Sequence, residues 1–272
     1  MGGVGRRGEG EGRREGAMSE TILQAKGVTK RFGGLTAVEG FALELRKGDL
    51  QGLIGPNGAG KTTVFNLLTG VYTPDEGEIR LGGARINGLR PFRINSLGLA
   101  RTFQNIRLFG EMSVLDNVKL ARHVRVRHTM LASVLRTAGS RREEGEIEER
   151  SMELLRLFDL ADRAHEEARS LPYGDQRRLE IARAMATAPK ALLLDEPAAG
   201  MNPQEKVELA GLIRRVRDEF GMTILLIEHD MGLVMKICER ITVLDYGKVI
   251  AAGPPEVVRK DPKVIEAYLG SE

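Results

Sequence analysis

The sequence predicts an α/β fold in which helices cover both faces of a mixed, mostly parallel sheet. Two short apolar runs, Ala191–Leu194 and Thr223–Ile227, indicate central strands, because buried parallel strands carry apolar residues on both faces. An amphipathic helical pattern follows each run, at Gln204–Phe220 and at Asp230–Cys238. Such alternation is typical of parallel sheets, since each crossover helix covers one face of the sheet.

Short β-type segments dominate the first hundred residues, before this alternation begins. Glycine-rich turns separate them, for example at residues 31–34 and 87–88. The strands predicted there and at the end of the chain are Ile22–Val28, Phe41–Leu45, Leu50–Ile54, Glu78–Leu81, Ile241–Leu244 and Lys248–Ala252.

The middle of the sequence, from about residue 112 to 187, changes to helical patterns. Helices are predicted at Ser113–Arg122, Thr129–Thr137 and Glu143–Leu160. Residues 1–17, by contrast, are mostly Gly, Arg and Glu and have almost nothing to bury. Such a segment cannot offset the entropy lost on ordering, so we expect a disordered tail at 1–17.

Composition narrows the functional classes. The 272 residues carry 41 Lys and Arg against 38 Asp and Glu, and this net charge of +3 is too small to imply a polyanionic partner. Aromatic residues make up only 4%, so we expect no nucleic-acid partner that stacks its bases on them. No apolar run approaches the roughly 20 residues that cross a bilayer. The one cysteine, Cys238, allows no disulfide within the chain.

A glycine-rich segment after the predicted strand Leu50–Ile54 fits the phosphate-loop pattern G-x-x-x-x-G-K-[S/T]. Glycines let consecutive backbone N–H groups converge on an anion, and the helix predicted at Thr63–Leu68 adds the partial positive charge of its N-terminus. Lys61 is expected to neutralise β- and γ-phosphates, and the Thr62 hydroxyl to bind Mg²⁺. The predicted nucleotide-binding residues are Gly55, Pro56, Asn57, Gly58, Ala59, Gly60, Lys61, Thr62 and Thr63. The sequence therefore predicts a P-loop NTPase that uses a nucleoside triphosphate and Mg²⁺.

Two acidic residues, Asp195 and Glu196, end the apolar strand Ala191–Leu194. Ligands bind at the carboxyl ends of parallel strands, which makes a solvated acidic turn the weaker interpretation. Asp195 is expected to hold Mg²⁺, usually through water, and Glu196 to act as general base toward an attacking water.

The segment Leu171-Pro172-Tyr173-Gly174-Asp175 precedes Asp195 by about twenty residues and opens a helical pattern. It resembles the signature motif of ATP-binding-cassette (ABC) ATPases, whose common form is L-S-G-G-Q. The resemblance extends over about residues 20–270. It implies ATP as the nucleotide and one ABC ATPase domain at 20–272. This domain would have a RecA-like core with a mixed, mostly parallel sheet at about 20–105 and 188–272, which includes an N-terminal antiparallel β subdomain, and an inserted ABC-type helical subdomain at about 106–187.

The resemblance also assigns single residues that would mean little alone. Gln104 matches the glutamine that senses Mg²⁺ and the transmembrane partner, and His229 matches the switch histidine near the γ-phosphate. Residues 199–202 lie at the place of the D-loop, and Phe32 where an aromatic ring stacks on adenine. The implied catalytic set is Glu196, His229 and Gln104, and the implied metal set is Thr62, Gln104 and Asp195.

One departure from the family pattern concerns the signature. Pro172 stands where the common motif has the serine that contacts the partner's ATP, and Asp175 stands in place of glutamine. The partner's γ-phosphate would then depend on backbone N–H groups near Gly174 and on the helix N-terminus. Pro172 is expected to preserve activity by presetting this turn.

Four segments are similar to bacterial branched-chain amino-acid uptake ATPases, in particular to the longer of the two ATPase subunits of such importers. They are Arg101–Phe109, Leu171–Arg183, Asp195–Asn202 and Ile227–Met231. The resemblance implies a peripheral protein at the cytoplasmic face of the bacterial cell membrane that pairs with a second ABC ATPase subunit. Two integral membrane permease subunits, and indirectly a periplasmic or extracellular solute-binding protein, would be its other partners. Import of another solute, such as urea or short amides, and a non-transport ABC ATPase remain the alternatives.

Overall fold

The computed structural model describes residues 20–122 and 138–269. The disordered tail expected at 1–17 and the helix expected at Thr129–Thr137 lie outside the described residues. The elements in chain order are β1 (Thr21–Phe32), β2 (Leu35–Arg46), β3 (Leu50–Ile54), α1 (Lys61–Leu68), β4 (Glu76–Leu81), β5 (Ala84–Arg85), α2 (Pro91–Leu97), β6 (Leu99–Arg101), α3 (Val114–Arg122), α4 (Ala138–Leu157), α5 (Tyr173–Ala186), β7 (Ala191–Asp195), α6 (Pro203–Phe220), β8 (Thr223–Ile227), α7 (Met231–Ile237), β9 (Arg240–Asp245), β10 (Lys248–Gly253), α8 (Pro255–Val258) and α9 (Pro262–Leu269).

The core sheet has the strand order β10-β9-β3-β8-β7-β6 and is parallel except for β10. Every residue of β3, β7 and β8 is buried, as predicted for central parallel strands. Ile227 pairs in register with both Leu53 and Asp195. The ends of β3, β7 and β8 therefore lie side by side, and we call this the carboxyl edge of the sheet.

A second sheet, β2-β1-β4-β5, is antiparallel and lies in the N-terminal part of the chain. Its inward residues share a hydrophobic cluster with α1 and with one face of the core sheet, for example Phe41, Phe65 and Leu225. The opposite face of the core sheet packs among the helices, and Ile224 and Leu226 of β8 belong to that second cluster. The predicted α/β class with its antiparallel N-terminal sheet is confirmed.

Helices α3, α4 and α5 pack on one another through buried side chains such as Val118, Leu155 and Leu179. Helix α4 ends at Leu157, three residues before the predicted end, because Asp159 adopts a left-handed φ of +57° that a helix cannot continue through. Helix α2 is an element that was not predicted from the sequence. Pro91 at its first turn and Gly98 at its C-terminus, with φ of +111°, were the available signals.

Candidate nucleotide-binding and catalytic site

The loop from Gly55 to Gly60 joins β3 to α1 at the carboxyl edge. Gly55 and Gly60 have φ of +153° and +103°, and both face other backbone segments at very short range. An added Cβ would lie 2.1 Å from Leu244 O at the first position and 2.7 Å from Ala37 O at the second. Only glycine fits both constraints, so these two residues allow the loop to turn tightly between the two sheets.

Lys61 is the first residue of α1, and its side chain returns toward the loop. Its Nζ donates hydrogen bonds to Gly55 O at 2.7 Å and Pro56 O at 2.9 Å. Burial lowers the pKa of this ammonium, whereas the nearby carboxylates of Glu196 and Asp195 raise it. These three charged groups therefore share one electrostatic environment. Thr62 follows Lys61 directly and is exposed.

Asp195 ends β7 with its side chain almost completely buried. Its Oδ2 accepts a hydrogen bond of 2.7 Å from Arg101 Nη2, and its backbone N–H donates to Thr102 Oγ1 at 3.2 Å. Arg101 was not identified from the sequence as a partner of this acid. The sequence shows a cationic residue three positions before Gln104, but no local pattern links Arg101 to Asp195, which lies 94 residues further along the chain.

Glu196 is held in an unusual backbone conformation next to Asp195. Its φ is +47°, in the left-handed region, and its N–H donates to Ile227 O at 2.9 Å. Strained backbone of this kind persists where the surroundings enforce it, and it is common at functional sites. The Glu196 Oε2 accepts from Gln104 Nε2 at 3.1 Å and lies 3.8 Å from His229 Nδ1. The structure thus brings together the three residues expected to be catalytic.

Glu228, the residue before His229, is a further acid of the site that was not identified from the sequence. Its carboxyl group is buried, and its Oε1 accepts a hydrogen bond of 2.8 Å from the Ala198 N–H. Burial raises the pKa of this side chain. Glu228 therefore links the end of β8 to the segment that leads into residues 199–202, the predicted D-loop.

Phe32 lies at the end of β1 with 42% of its surface exposed, so it is not a core residue. Its ring meets Tyr72 edge-on at 5.1 Å, and the Lys30 ammonium lies 5.5 Å from its centroid. The exposed ring agrees with a surface that could stack on a base, but no described contact joins it to the loop 55–60.

The signature turn, residues 171–175, leads into the start of α5. Pro172 occupies the N-cap position with φ of −53°, Leu171 and Gly174 are buried, and Asp175 pairs with Arg163 at 3.4 Å. The Tyr173 ring packs against Gly200, where an added Cβ would lie 3.4 Å from it. Within the described residues, no hydrogen bond or ion pair joins the signature turn to residues 55–63.

Arg177, buried on α5, connects the signature turn to the segment around Gln104. Its guanidinium donates to the backbone oxygens of Phe103, at 2.9 Å, and Gln104. It also donates to Tyr173 Oη at 2.9 Å and pairs with Glu180 at 3.1 Å. A charge this deeply buried requires such complete pairing.

The donor set at the carboxyl edge suits Mg²⁺. The Thr62 hydroxyl, the Asp195 carboxylate and the Gln104 amide oxygen are hard oxygen ligands, and Mg²⁺ usually takes one or two of these and completes its shell with phosphates and water. Among the described residues, no group of three or more His, Cys, Asp and Glu side chains could hold a metal.

A glycine loop between a parallel strand and a helix, with acids at the end of a second strand two positions away in the same sheet, defines a P-loop nucleoside triphosphatase. Residues 38–199 match the ABC transporter family, and residues 248–272 match the family described as branched-chain amino acid ATP-binding cassette transporter. The chain belongs to the ABC transporter family, as one of its ATP-hydrolysing cassettes.

Two curated relatives are 49% identical to this chain over 93% of its length and 99% of theirs. They are the high-affinity branched-chain amino acid transport ATP-binding proteins BraF of Pseudomonas aeruginosa and LivG of Escherichia coli. The lipopolysaccharide export system ATP-binding protein LptB of Acidithiobacillus ferridurans is 36% identical, over 94% of this chain and 99% of that protein.

Two solved structures share the fold. The ADP conformation of MJ1267, an ATP-binding cassette of an ABC transporter, has a TM-score of 0.80 and 31% identity, and the match covers 92% of this chain and 99% of that one. A dimeric post-hydrolysis state of MJ0796 bound to ADP and Pi has a TM-score of 0.72 and 25% identity, with coverage of 86% and 99%. In the part of the present chain that the structure describes, no helix has the length and hydropathy to span a membrane.

Proposed function

We propose that this chain is the ATP-binding and ATP-hydrolysing subunit of an importer of branched-chain amino acids. The observation that carries the proposal is the match of residues 248–272 to the branched-chain family. Full-length relatives at 49% identity, named for high-affinity branched-chain amino acid transport, support it.

The proposed nucleotide site is the carboxyl edge of the core sheet. Backbone N–H groups of residues 55–63 and the Lys61 ammonium would hold the phosphates, because a P-loop and helix N-terminus favour anions. Phe32 would stack on the adenine. Thr62, Asp195 and Gln104 would hold Mg²⁺, which when bound neutralises charge on the phosphate oxygens.

Glu196 is the residue proposed to accept a proton from the attacking water. Its carboxylate is oriented by Gln104 Nε2 at 3.1 Å, and His229 Nδ1 lies 3.8 Å from the same oxygen. Phosphoryl transfer needs mainly positioning and charge stabilisation, so a carboxylate held beside two polar neighbours suits this task.

The remaining partners are supported by membership of the ABC transporter family and by the dimeric structure of the related cassette MJ0796. A second ABC ATPase subunit would receive the signature turn at its ATP, completing two sites by pairing. Two integral membrane permease subunits would hold the pair at the cytoplasmic face of the membrane, and a solute-binding protein outside would deliver the amino acid. Closure and reopening of the pair would move the permeases between their states.

The test is reconstitution of the chain with its permeases and solute-binding protein in proteoliposomes. We expect ATP-dependent uptake of labelled leucine, isoleucine and valine, and no uptake when the chain carries Glu196→Gln. Uptake of urea or short amides instead would contradict the branched-chain assignment. ATP hydrolysis by a chain that binds no permease would point to a non-transport ATPase.

A further inference from the structure

Arg101 is the last residue of β6, the edge strand of the core sheet. It pairs in register with Leu193 of the neighbouring strand β7, two residues before Asp195. Only 11% of its side chain is exposed. A mostly buried guanidinium at this position needs specific partners, because an unpaired buried charge is costly.

The guanidinium of Arg101 connects two motifs of the proposed ATP site. Its Nη2 donates to Asp195 Oδ2 at 2.7 Å. Its Nη1 donates to Asn66 Oδ1 at 2.8 Å and to Thr69 Oγ1 at 3.3 Å. Asn66 belongs to α1, the helix that begins at Lys61, and Thr69 follows directly after that helix. One side chain therefore spans from the phosphate-loop helix to the acid at the end of β7.

Two aromatic rings flank the same guanidinium. Its central carbon lies 5.5 Å from the ring centroid of Phe65 and 5.5 Å from that of Phe103, the residue before Gln104. The planar, delocalised cation of arginine stacks on aromatic faces and donates in a fixed fork, whereas a lysine ammonium is a compact point charge. The contacts made by Nη1, Nη2 and the faces of the guanidinium therefore depend on the shape of arginine, which a lysine ammonium lacks.

We propose that Arg101 is a positioning residue for Asp195. By holding Oδ2, it leaves Oδ1, which accepts no hydrogen bond within the described residues, as the oxygen available to the Mg²⁺ shell. It also makes that orientation depend on α1 and on the ring beside Gln104. The inference rests on the Mg²⁺–nucleotide site proposed above. Arg101 itself touches no reacting group.

The experiment measures binding of a fluorescent ADP analogue to the full chain, with Mg²⁺ and with EDTA, and takes the ratio of the two affinities. In Arg101→Lys we expect this ratio, the Mg²⁺-dependent gain in affinity, to fall about tenfold, while the affinity in EDTA stays unchanged. A tenfold fall corresponds to the loss of about one good hydrogen bond to a charged group. A gain equal to that of the unmodified chain would overturn the proposal. A larger gain would too, since Arg101 would then compete with the metal.

Arg107→Met is the matched control. The Arg107 guanidinium lies 4.3 Å from the same Phe103 ring, but it has no described contact with Asp195. Its removal should leave the Mg²⁺-dependent gain unchanged. If Arg101→Lys instead weakens ADP binding equally with Mg²⁺ and with EDTA, the residue has only a structural role and the proposal is wrong.

Asn66→Ala keeps the proposal testable if Arg101→Lys does not fold. This substitution removes one hydrogen-bond acceptor of the guanidinium and preserves every charge. The Mg²⁺-dependent gain in affinity should therefore fall about threefold, roughly half the free-energy effect of losing a hydrogen bond to a charged group. The melting temperature is measured in parallel. An unchanged gain in this variant would also contradict the proposal. If the unmodified chain binds no ADP, or gains nothing from Mg²⁺, the proposed function fails rather than this inference.

Discussion

The carboxyl edge would bind this chain's own ATP, whereas the signature turn would contact the ATP of the partner subunit, and different kinds of structure position the two motifs. At the carboxyl edge, Asp195 and Glu196 follow directly from a fully buried strand, and the phosphate loop follows from another. The signature turn has exposed residues at Pro172 and Tyr173, and buried Arg177 ties it to the backbone around Gln104. The core sheet positions the carboxyl edge, whereas Arg177 links the signature turn to the backbone of Phe103 and Gln104.

Phe103 and Gln104 have contacts with both motifs. The Gln104 side chain donates a hydrogen bond to Glu196, and the Arg177 guanidinium joins the backbone oxygens of Phe103 and Gln104 to Tyr173 of the signature turn. Phe103 and Gln104 therefore link the carboxyl edge to the signature turn of the same chain. Because different residues support the two motifs, we expect substitutions in each motif to have different effects.

The largest expected effect is at the carboxyl edge. Glu196→Gln should reduce steady-state ATP hydrolysis by about 10²–10⁴-fold, because it removes the proposed base while preserving shape and the contact with Gln104. ATP affinity, measured by equilibrium binding, should be nearly unchanged. Glu219→Gln, an exposed acid on α6, is the control and should leave turnover unchanged. Normal turnover in Glu196→Gln would exclude Glu196 as the base.

The second prediction concerns the internal support of the signature turn. Arg177→Met should destabilise the fold by about 3–5 kcal/mol, because it leaves Glu180 as an unpaired charge in a buried site. Burial already raises the pKa of Glu180 despite its pairing. The measurement is chemical denaturation followed by circular dichroism.

The matched control is the double variant Arg177→Met with Glu180→Met. Removing both charges should recover much of the lost stability, since the buried ion pair has a large desolvation cost. A double variant that is no more stable than Arg177→Met would show that the backbone contacts to Phe103 and Gln104 matter more than the charge.

The third prediction addresses the unusual residue of the signature. Pro172→Ser should change ATP hydrolysis of the assembled transporter by less than about tenfold, because two effects on the turn oppose each other. A serine at this N-cap could accept a helix N–H, worth about 1 kcal/mol. The proline it replaces restricts the unfolded chain by a similar amount, since φ of −53° suits its ring. A larger rise in hydrolysis would mean that Pro172 limits turnover.

The smallest expected effect is a pH dependence at Glu228. Burial raises its pKa above the usual 4.5, so the folded state binds a proton that the unfolded chain has already lost. The free energy of unfolding should therefore fall as pH rises through this window. Glu228→Gln cannot titrate, so its stability relative to the unmodified chain should increase as pH rises above 4.5. Denaturation midpoints at several pH values would measure this, and Glu219→Gln should show no such trend.

Much of the site was predictable because its chemistry is local. The phosphate loop Gly55–Thr62 is formed by consecutive residues that fold around an anion. Asp195 and Glu196 are placed in the site because they stand at the end of a strand. The long-range partners were not predictable. Arg101 and Asp195 are 94 residues apart, and Ala198 and Glu228 are 30 apart, so no spacing or periodicity marks them as pairs.

The bounds of strands and helices were likewise predicted well in some parts of the chain and missed in others. The buried strand Thr223–Ile227 was predicted correctly, since its apolar, β-branched run is bounded by a glycine before it and by polar residues after it. Helix α2 was missed, although Pro91 and Gly98 were signals for its ends, because the surrounding segments suggested strands.

Local patterns in the sequence were sufficient to predict the class of the fold, the phosphate loop and the two acids at the end of β7. Residues close in the chain must be close in space, so local motifs can be recognised before the topology is known. The pairing of buried charges, by contrast, depends on how distant segments pack together. The pairing of Arg101 with Asp195, and of Arg177 with the backbone around Gln104, arises because the parallel strand order brings β6 against β7 and α5 against the segment that follows β6.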